Sequence, residues 1–196
     1  MTPANDHIKD QILESALFDV PFDGWTDAVL KNAAVKAGFA PEMAVSVFPS
    51  GVKSALDYFA ARADRRMLEA LGGVDAATLR VRERIALAVR TRLDVLEPYK
   101  EAERLAVAYW MRPLRKWEGA KIVWRTADVI WNWAGDAATD YNRLTKRTLL
   151  SGVLTSTVLY WLTDESQNHA DTAAFLDRRI DNVMSIGKIV GKFKKA

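Results

Sequence analysis

The sequence predicts an all-α protein, on three observations. Apolar residues recur at helical spacing nearly from end to end, with few runs that alternate as strands do. The periodic stretches are cut by Gly and Pro clusters: Pro21-Phe22-Asp23-Gly24, Gly38, Pro49-Ser50-Gly51, Gly72-Gly73, Pro98, Pro113 and Gly135-Asp136. At 49% hydrophobic and 27% charged, the 196 residues can build a core and are not of disordered composition. The breaks delimit roughly nine helices. Gly72-Gly73, with polar residues after it, marks the division of the chain. Residues 1–72 form one domain, 73–187 a second helical domain and 188–196 a basic tail.

In the first helix Ile12, Ala16 and Leu17 share a face. Gly24-Trp25-Thr26 is a turn, with Thr26 as N-cap of the second helix. Val29, Ala33 and Ala34 give that helix a small-residue face, and Gly38 ends it. A short third helix follows Ala40-Pro41 and stops at Phe48-Pro49, and Lys53–Leu71 is a long fourth. This order resembles the N-terminal helix-turn-helix domain of TetR-type regulators. In such a domain the third helix would read bases. Here it is PEMAVSVF, which holds an acid and aliphatics but no Lys or Arg for phosphates, so nucleic acid is not an expected partner.

Several chemistries are missing from the chain. It has no Cys, so thiolate metal sites and disulfides are excluded. Its two His, His7 and His169, cannot supply paired Glu-x-x-His ligands, and Glu165 with His169 lies in TDESQNHAD, which reads as a solvated loop. No Gly-rich phosphate loop occurs, and Ser151-Gly152 lacks the frame of a nucleophile elbow. Neither enzymatic activity nor a cofactor is expected. The net charge of +3 neither demands nor forbids an acidic partner. The start lacks the pattern of a signal peptide, and the most apolar stretch, LLSGVLTSTVLYWL, is shorter than a membrane span and carries hydroxyls. The expected location is the cytoplasm, with peripheral attachment to an inner membrane left open.

What remains is apolar surface. Five of the seven Trp, at 110, 117, 124, 131 and 133, fall within 24 positions, and three of them repeat every seven residues. Such rings pack a core or line an apolar cavity. The expected lining of a lipid cavity in the second domain is drawn from Leu93, Leu96, Tyr109, Trp110, Trp124, Trp131 and Tyr160.

The stretch WNWAGDAATDYNRLTKR, residues 131–147, is locally a helix–helix corner. Gly135 stops one helix, Thr139 caps the next, Asp140 suits its first turn, and Asp136 is left in the corner to bond backbone donors. Asp140 shares a face with Leu144 and Arg147. The series Trp131, Ala134-Gly135-Asp136, Thr139-Asp140, Asn142, Thr145 and Arg147 resembles the ubiquinone (coenzyme Q) biosynthesis accessory family. These are TetR-like lipid-binding proteins that assist the demethoxyubiquinone hydroxylase. The likeness continues in Ala16–Trp25, in Arg92-Leu93, Leu96, Pro98-Tyr99, and in Phe175-Leu176, Arg179-Ile180 and Met184.

The resemblance implies a protein that binds an isoprenoid quinone or other lipid and presents it to the hydroxylase at a membrane surface. It places partner contacts at Asp140, which matches the family acid, at Ile130, an apolar contact position, and at Arg143 and Leu144. The last two positions are aromatic in mitochondrial members. Those members also have a longer amphipathic C-terminal helix, and a bacterial member is expected here. A homodimer is left open. The competing reading is a TetR-type transcriptional regulator with a small-molecule pocket. At the C-terminus Ile180, Val183, Met184, Ile186, Val190 and Phe193 keep helical spacing, and Lys188, Lys192, Lys194 and Lys195 gather behind them. A basic amphipathic tail of this kind can lie on anionic lipid, and cations also suit a helix C-terminus.

Overall fold

The computed structural model describes the backbone of residues 3–136 and 141–193, with side chains over 5–136 and 143–184. Among the described residues there are nine α-helices and no strand. They are α1 (Pro3–Asp23), α2 (Asp27–Lys36), α3 (Glu42–Val47), α4 (Val52–Ala70), α5 (Val81–Leu96), α6 (Lys100–Trp110), α7 (Lys116–Trp133), α8 (Tyr141–Trp161) and α9 (Ala170–Phe193). Single 3-10 turns lie at Ala76–Thr78, Glu97–Tyr99 and Gln167–His169. The chain divides into two compact units, residues 1–63 with 96–119 and residues 64–95 with 120–196.

In the first unit the helix ends follow from local chemistry. The Thr26 side chain accepts the Val29 amide at 3.1 Å. Gly38 takes φ +85°, its amide bonds Val35 O at 3.0 Å, and the Phe39 amide bonds Ala34 O at 2.9 Å. That pair of bonds closes the orphan carbonyls of α2. The expected break at Pro21 moves: α1 runs through it to Asp23. Proline so near a C-terminus withholds one hydrogen bond, to the carbonyl of Leu17, while the turn that ends the helix is made by Gly24 at φ +71°. The core joins Ile12, Leu13, Ala16 and Val20 of α1 to Leu30, Ala33 and Ala34 of α2 and to Phe48, Leu56 and Phe59. Trp25 stacks at a tilt on Phe59, 5.6 Å between centroids, and its Nε1 donates to Ala102 O at 3.0 Å. This bond ties α6 to the N-terminal helices across 77 positions.

The core of the second unit gathers Met67, Leu71, Ile85, Val89, Ala127, Ile130, Leu150, Leu154, Leu176 and Ile180. One carboxylate is buried beside it. Asp64 accepts from Arg92 Nε at 2.8 Å and from Thr126 Oγ1 at 3.0 Å, so the charge is paired rather than stranded. The segment expected to be a solvated loop before α9 holds a second buried acid. Asp164 accepts the amides of Ser166 and Thr172, each at 2.8 Å, and the Thr172 hydroxyl. Burial pushes its carboxyl up, but these donors outweigh it and hold the group well below the usual carboxylate range. Asp164 therefore serves to start α9. Glu165 beside it is exposed, and the His169 Nδ1 lies 3.9 Å from an Asp164 oxygen. Among the described residues no cluster of three or more His, Cys, Asp or Glu could hold a metal ion.

Candidate functional site

The corner between α7 and α8 is where the sequence places its densest signal. Gly135 has φ +83°, its amide bonds Asn132 O at 3.1 Å, and the Asp136 amide bonds Trp131 O at 3.0 Å. α7 thus ends as α2 does, on a left-handed glycine. This ending turns Asp136 inward. Its side chain is 4% exposed and lies between two cations, with Lys146 Nζ at 2.6 Å and Arg147 Nη1 at 2.8 Å. The sequence left Asp136 to backbone donors; in the structure it is the anchor of a charge network, because α8 returns two basic side chains to it.

Arg147 is the centre of that network. Its side chain is 1% exposed. Nε donates to Asp128 Oδ1 at 2.5 Å, Nη1 to Asp136 and Nη2 to Asn132 Oδ1 at 3.2 Å. Burial lowers the tendency of the guanidinium to stay charged, yet Asp128 and Asp136 more than restore it. Burial likewise pushes the Asp128 carboxyl up, and the bonds and charges of Arg147 and Arg143 override it, leaving the group below its ordinary range. Arg143 Nη2 reaches Asp128 Oδ1 at 2.9 Å. Trp131 completes the stitch: its Nε1 donates to Lys146 O at 3.1 Å, and the Lys146 ammonium sits 5.3 Å from its ring centroid. The arrangement is a cluster of fixed charge, and among the described residues it holds no nucleophile paired with a base.

The expected partner contacts divide on this corner. Arg143 and Leu144 are exposed, the latter by 55%. Ile130 is 0% exposed and packs in the core, so it presents no surface to a partner. Asp140 and Thr139 lie outside the described residues, as do the side chains of the basic tail. Asp128 and Asn132 are not among the residues to which the sequence points. The available signal was spacing: Asp128 and Asn132 on α7, and Arg143 and Arg147 on α8, are each one helical turn apart.

The seven residues expected to line a cavity are not all in one unit. Leu96, Tyr109 and Trp110 belong to the first, and Leu93, Trp124, Trp131 and Tyr160 to the second. Leu93 and Leu96 are buried and the five aromatic side chains are half-buried. Trp131 packs against the core of its unit. Tyr160 stacks on Phe175 with centroids 4.5 Å apart.

Helices in this order, with α1 and α2 each ended by a left-handed glycine before a short third helix, make a TetR-type fold. The chain aligns with a TetR transcriptional regulator from Nitrosomonas europaea at a TM-score of 0.73 and 22% identity, over 91% of this chain and 98% of that one. Residues 117–187, which contain the whole corner, match the COQ9 family model. The similarity to COQ9 proteins extends well beyond that segment. It reaches 30% identity to the mitochondrial ubiquinone biosynthesis protein COQ9 of Rattus norvegicus, over 97% of this chain and 63% of that protein. It is 30% to the protein of that name from Drosophila melanogaster, over 92% and 56%, and 27% to that of Homo sapiens, over 97% and 62%. The chain therefore resembles the COQ9 family through nearly all of its own length, and spans less than two thirds of these relatives.

Proposed function

We propose that this chain is a non-catalytic accessory protein of ubiquinone biosynthesis. It holds a polyprenylated quinone precursor in its helical second unit and presents it to the membrane-associated demethoxyubiquinone hydroxylase. The observation that carries this reading is the likeness to COQ9 proteins over 92–97% of the chain, with the α7–α8 corner inside the matched family segment. The chemistry agrees with it. The corner offers fixed charge and the exposed Arg143 and Leu144 for docking, and Asp140 precedes them in the same sequence run. The half-buried rings Trp124, Trp131 and Tyr160 suit an isoprenoid chain better than a polar substrate. No helix among the described residues is long and apolar enough to cross a membrane.

A regulator is the second reading, favoured by the TetR neighbour. Against it stands α3, whose exposed residues are Glu42, Val45 and Ser46. An acid and an aliphatic there repel or ignore phosphate. Two experiments separate the readings. Capture of the purified hydroxylase, with Asp140→Asn as the variant, weakens while melting stays unchanged if the corner docks the enzyme. Salt-dependent, sequence-specific DNA binding at physiological ionic strength overturns the reading in favour of the regulator.

A further inference from the structure

The corner between α6 and α7 combines exposed apolar side chains with a cluster of cations. Three large apolar side chains point outward within seven residues: Met111, Leu114 and Trp117 are 60%, 99% and 75% exposed. Cations are interleaved with them at Arg112, Arg115 and Lys116. From Ala108 to Gly119 the sequence has a single acid, Glu118, which is bonded to Lys53 Nζ at 2.9 Å.

This protrusion is firmly built. The Arg115 amide bonds Arg112 O at 2.9 Å, which closes a tight turn with Pro113 second and Leu114 third, at its apex. The Met111 amide bonds Val107 O at 2.9 Å, and the Gly119 amide bonds Arg115 O at 3.1 Å. With the Glu118 amide on Arg115 O at 3.0 Å, these bonds pin the turn to the end of α6 and the start of α7. Behind the turn, a Cβ on Gly119 would stand 2.9 Å from Trp110 Cβ, so glycine lets α7 close on α6. Tyr109 meets Trp110 edge to face at 5.0 Å, and the Arg115 guanidinium lies 3.9 Å over the Tyr109 ring.

A rigid apex that offers Leu, Met and Trp with a basic surround matches an anionic lipid interface. The apolar side chains gain by leaving water, Trp favours the headgroup level, and each cation is attracted by the surface charge. We propose that the Met111–Trp117 corner inserts into anionic bilayers and is a membrane-docking site of this protein. The assignment deepens the reading above, since a carrier that serves a membrane enzyme must meet the bilayer.

The chain has no cysteine, so Leu114→Cys provides a unique site for a polarity-sensitive dye. Vesicles of phosphatidylcholine mixed with phosphatidylglycerol, and of phosphatidylcholine alone, are the two probes. The expected result is a blue shift with the anionic vesicles, quenched by spin-labelled lipid, and a far smaller one with neutral vesicles. In the unlabelled protein, Leu114→Glu lowers partition into anionic vesicles about tenfold or more. Arg112→Gln with Lys116→Gln lowers it about twenty-five-fold, about fivefold per cation. Circular dichroism of each variant verifies that the fold is kept. A dye that stays in water while the protein sediments with vesicles overturns the assignment, because another surface then holds the membrane. So does a dye that responds only to the hydroxylase or to rising protein concentration, which marks a protein interface instead. Lipids extracted from purified Leu114→Glu test the carrier reading separately, as that variant leaves the second unit intact.

Discussion

Replacing Arg147 by Gln tests whether the α7–α8 corner is held by its charges. Gln keeps much of the stem and an amide but loses the positive charge. The change strips one cation from Asp136, whose side chain is 4% exposed, and one from Asp128, which is 26% exposed. Removing one partner of a buried ion pair costs about 3–5 kcal/mol, chiefly because the other charge is left behind. Here Asp136 keeps Lys146 and Asp128 keeps Arg143, both of them half-exposed. We therefore expect the lower end, about 3 kcal/mol. For a chain of this size each kcal/mol moves the melting midpoint by about 2–4 °C, so the midpoint should fall by about 6–12 °C. Calorimetric or circular-dichroism melting reads it. The double variant Arg147→Gln with Asp136→Asn should lose less than the sum of the two single losses, by about 1–3 kcal/mol, since the stranded carboxylate is gone. A midpoint for Arg147→Gln within about 2 °C of the parent would refute the reasoning, and the network would then be no more than surface decoration.

Leu144→Asp, at a site 55% exposed, should change stability by less than about 0.5 kcal/mol while weakening capture of the hydroxylase; melting and a pull-down on the same sample measure both. Gly135→Ala places a side chain at φ +83° with Arg84 Nη1 3.5 Å from the new Cβ, and should cost about 1 kcal/mol, read as a midpoint lower by about 2–4 °C. Acid should destabilise the fold through Asp164 and Asp128, whose folded carboxyls sit below their ordinary range. Their contribution is complete above the unfolded carboxyl value of about 3.9 and is lost as pH falls below it towards the folded values. Chemical denaturation across acidic pH should therefore show stability falling below about pH 4, with a shallower slope in Asp164→Asn.

Local chemistry was readable in the sequence where one residue type decides the backbone. Thr26, Gly38 and Gly135 mark helix ends because a hydroxyl cap and a left-handed residue leave few alternatives. Pro21 misleads because the weight of a proline depends on its distance from a helix end that only Gly24 sets. Ile130 shows the limit of a periodic pattern: an apolar residue on an amphipathic helix has the same appearance whether it meets a core or a partner, and here it meets the core. Asp164 and Asp136 are short polar residues in turn-rich segments, and such composition points to water. Their burial follows from donors brought by Thr172, Lys146 and Arg147, which are 8, 10 and 11 positions away. The grouping of residues 96–119 with the N-terminal helices rests on contacts such as Trp25 with Ala102, at a separation no local pattern encodes.

The central claim is that this chain carries a quinone precursor, and the direct measurement is mass spectrometry of lipids that co-purify with it without detergent. The account predicts a polyprenylated quinone or quinone precursor, in amounts comparable to the protein and enriched over an unrelated helical protein purified in parallel. No quinoid lipid above that control, together with a sequence-specific DNA complex, would contradict it.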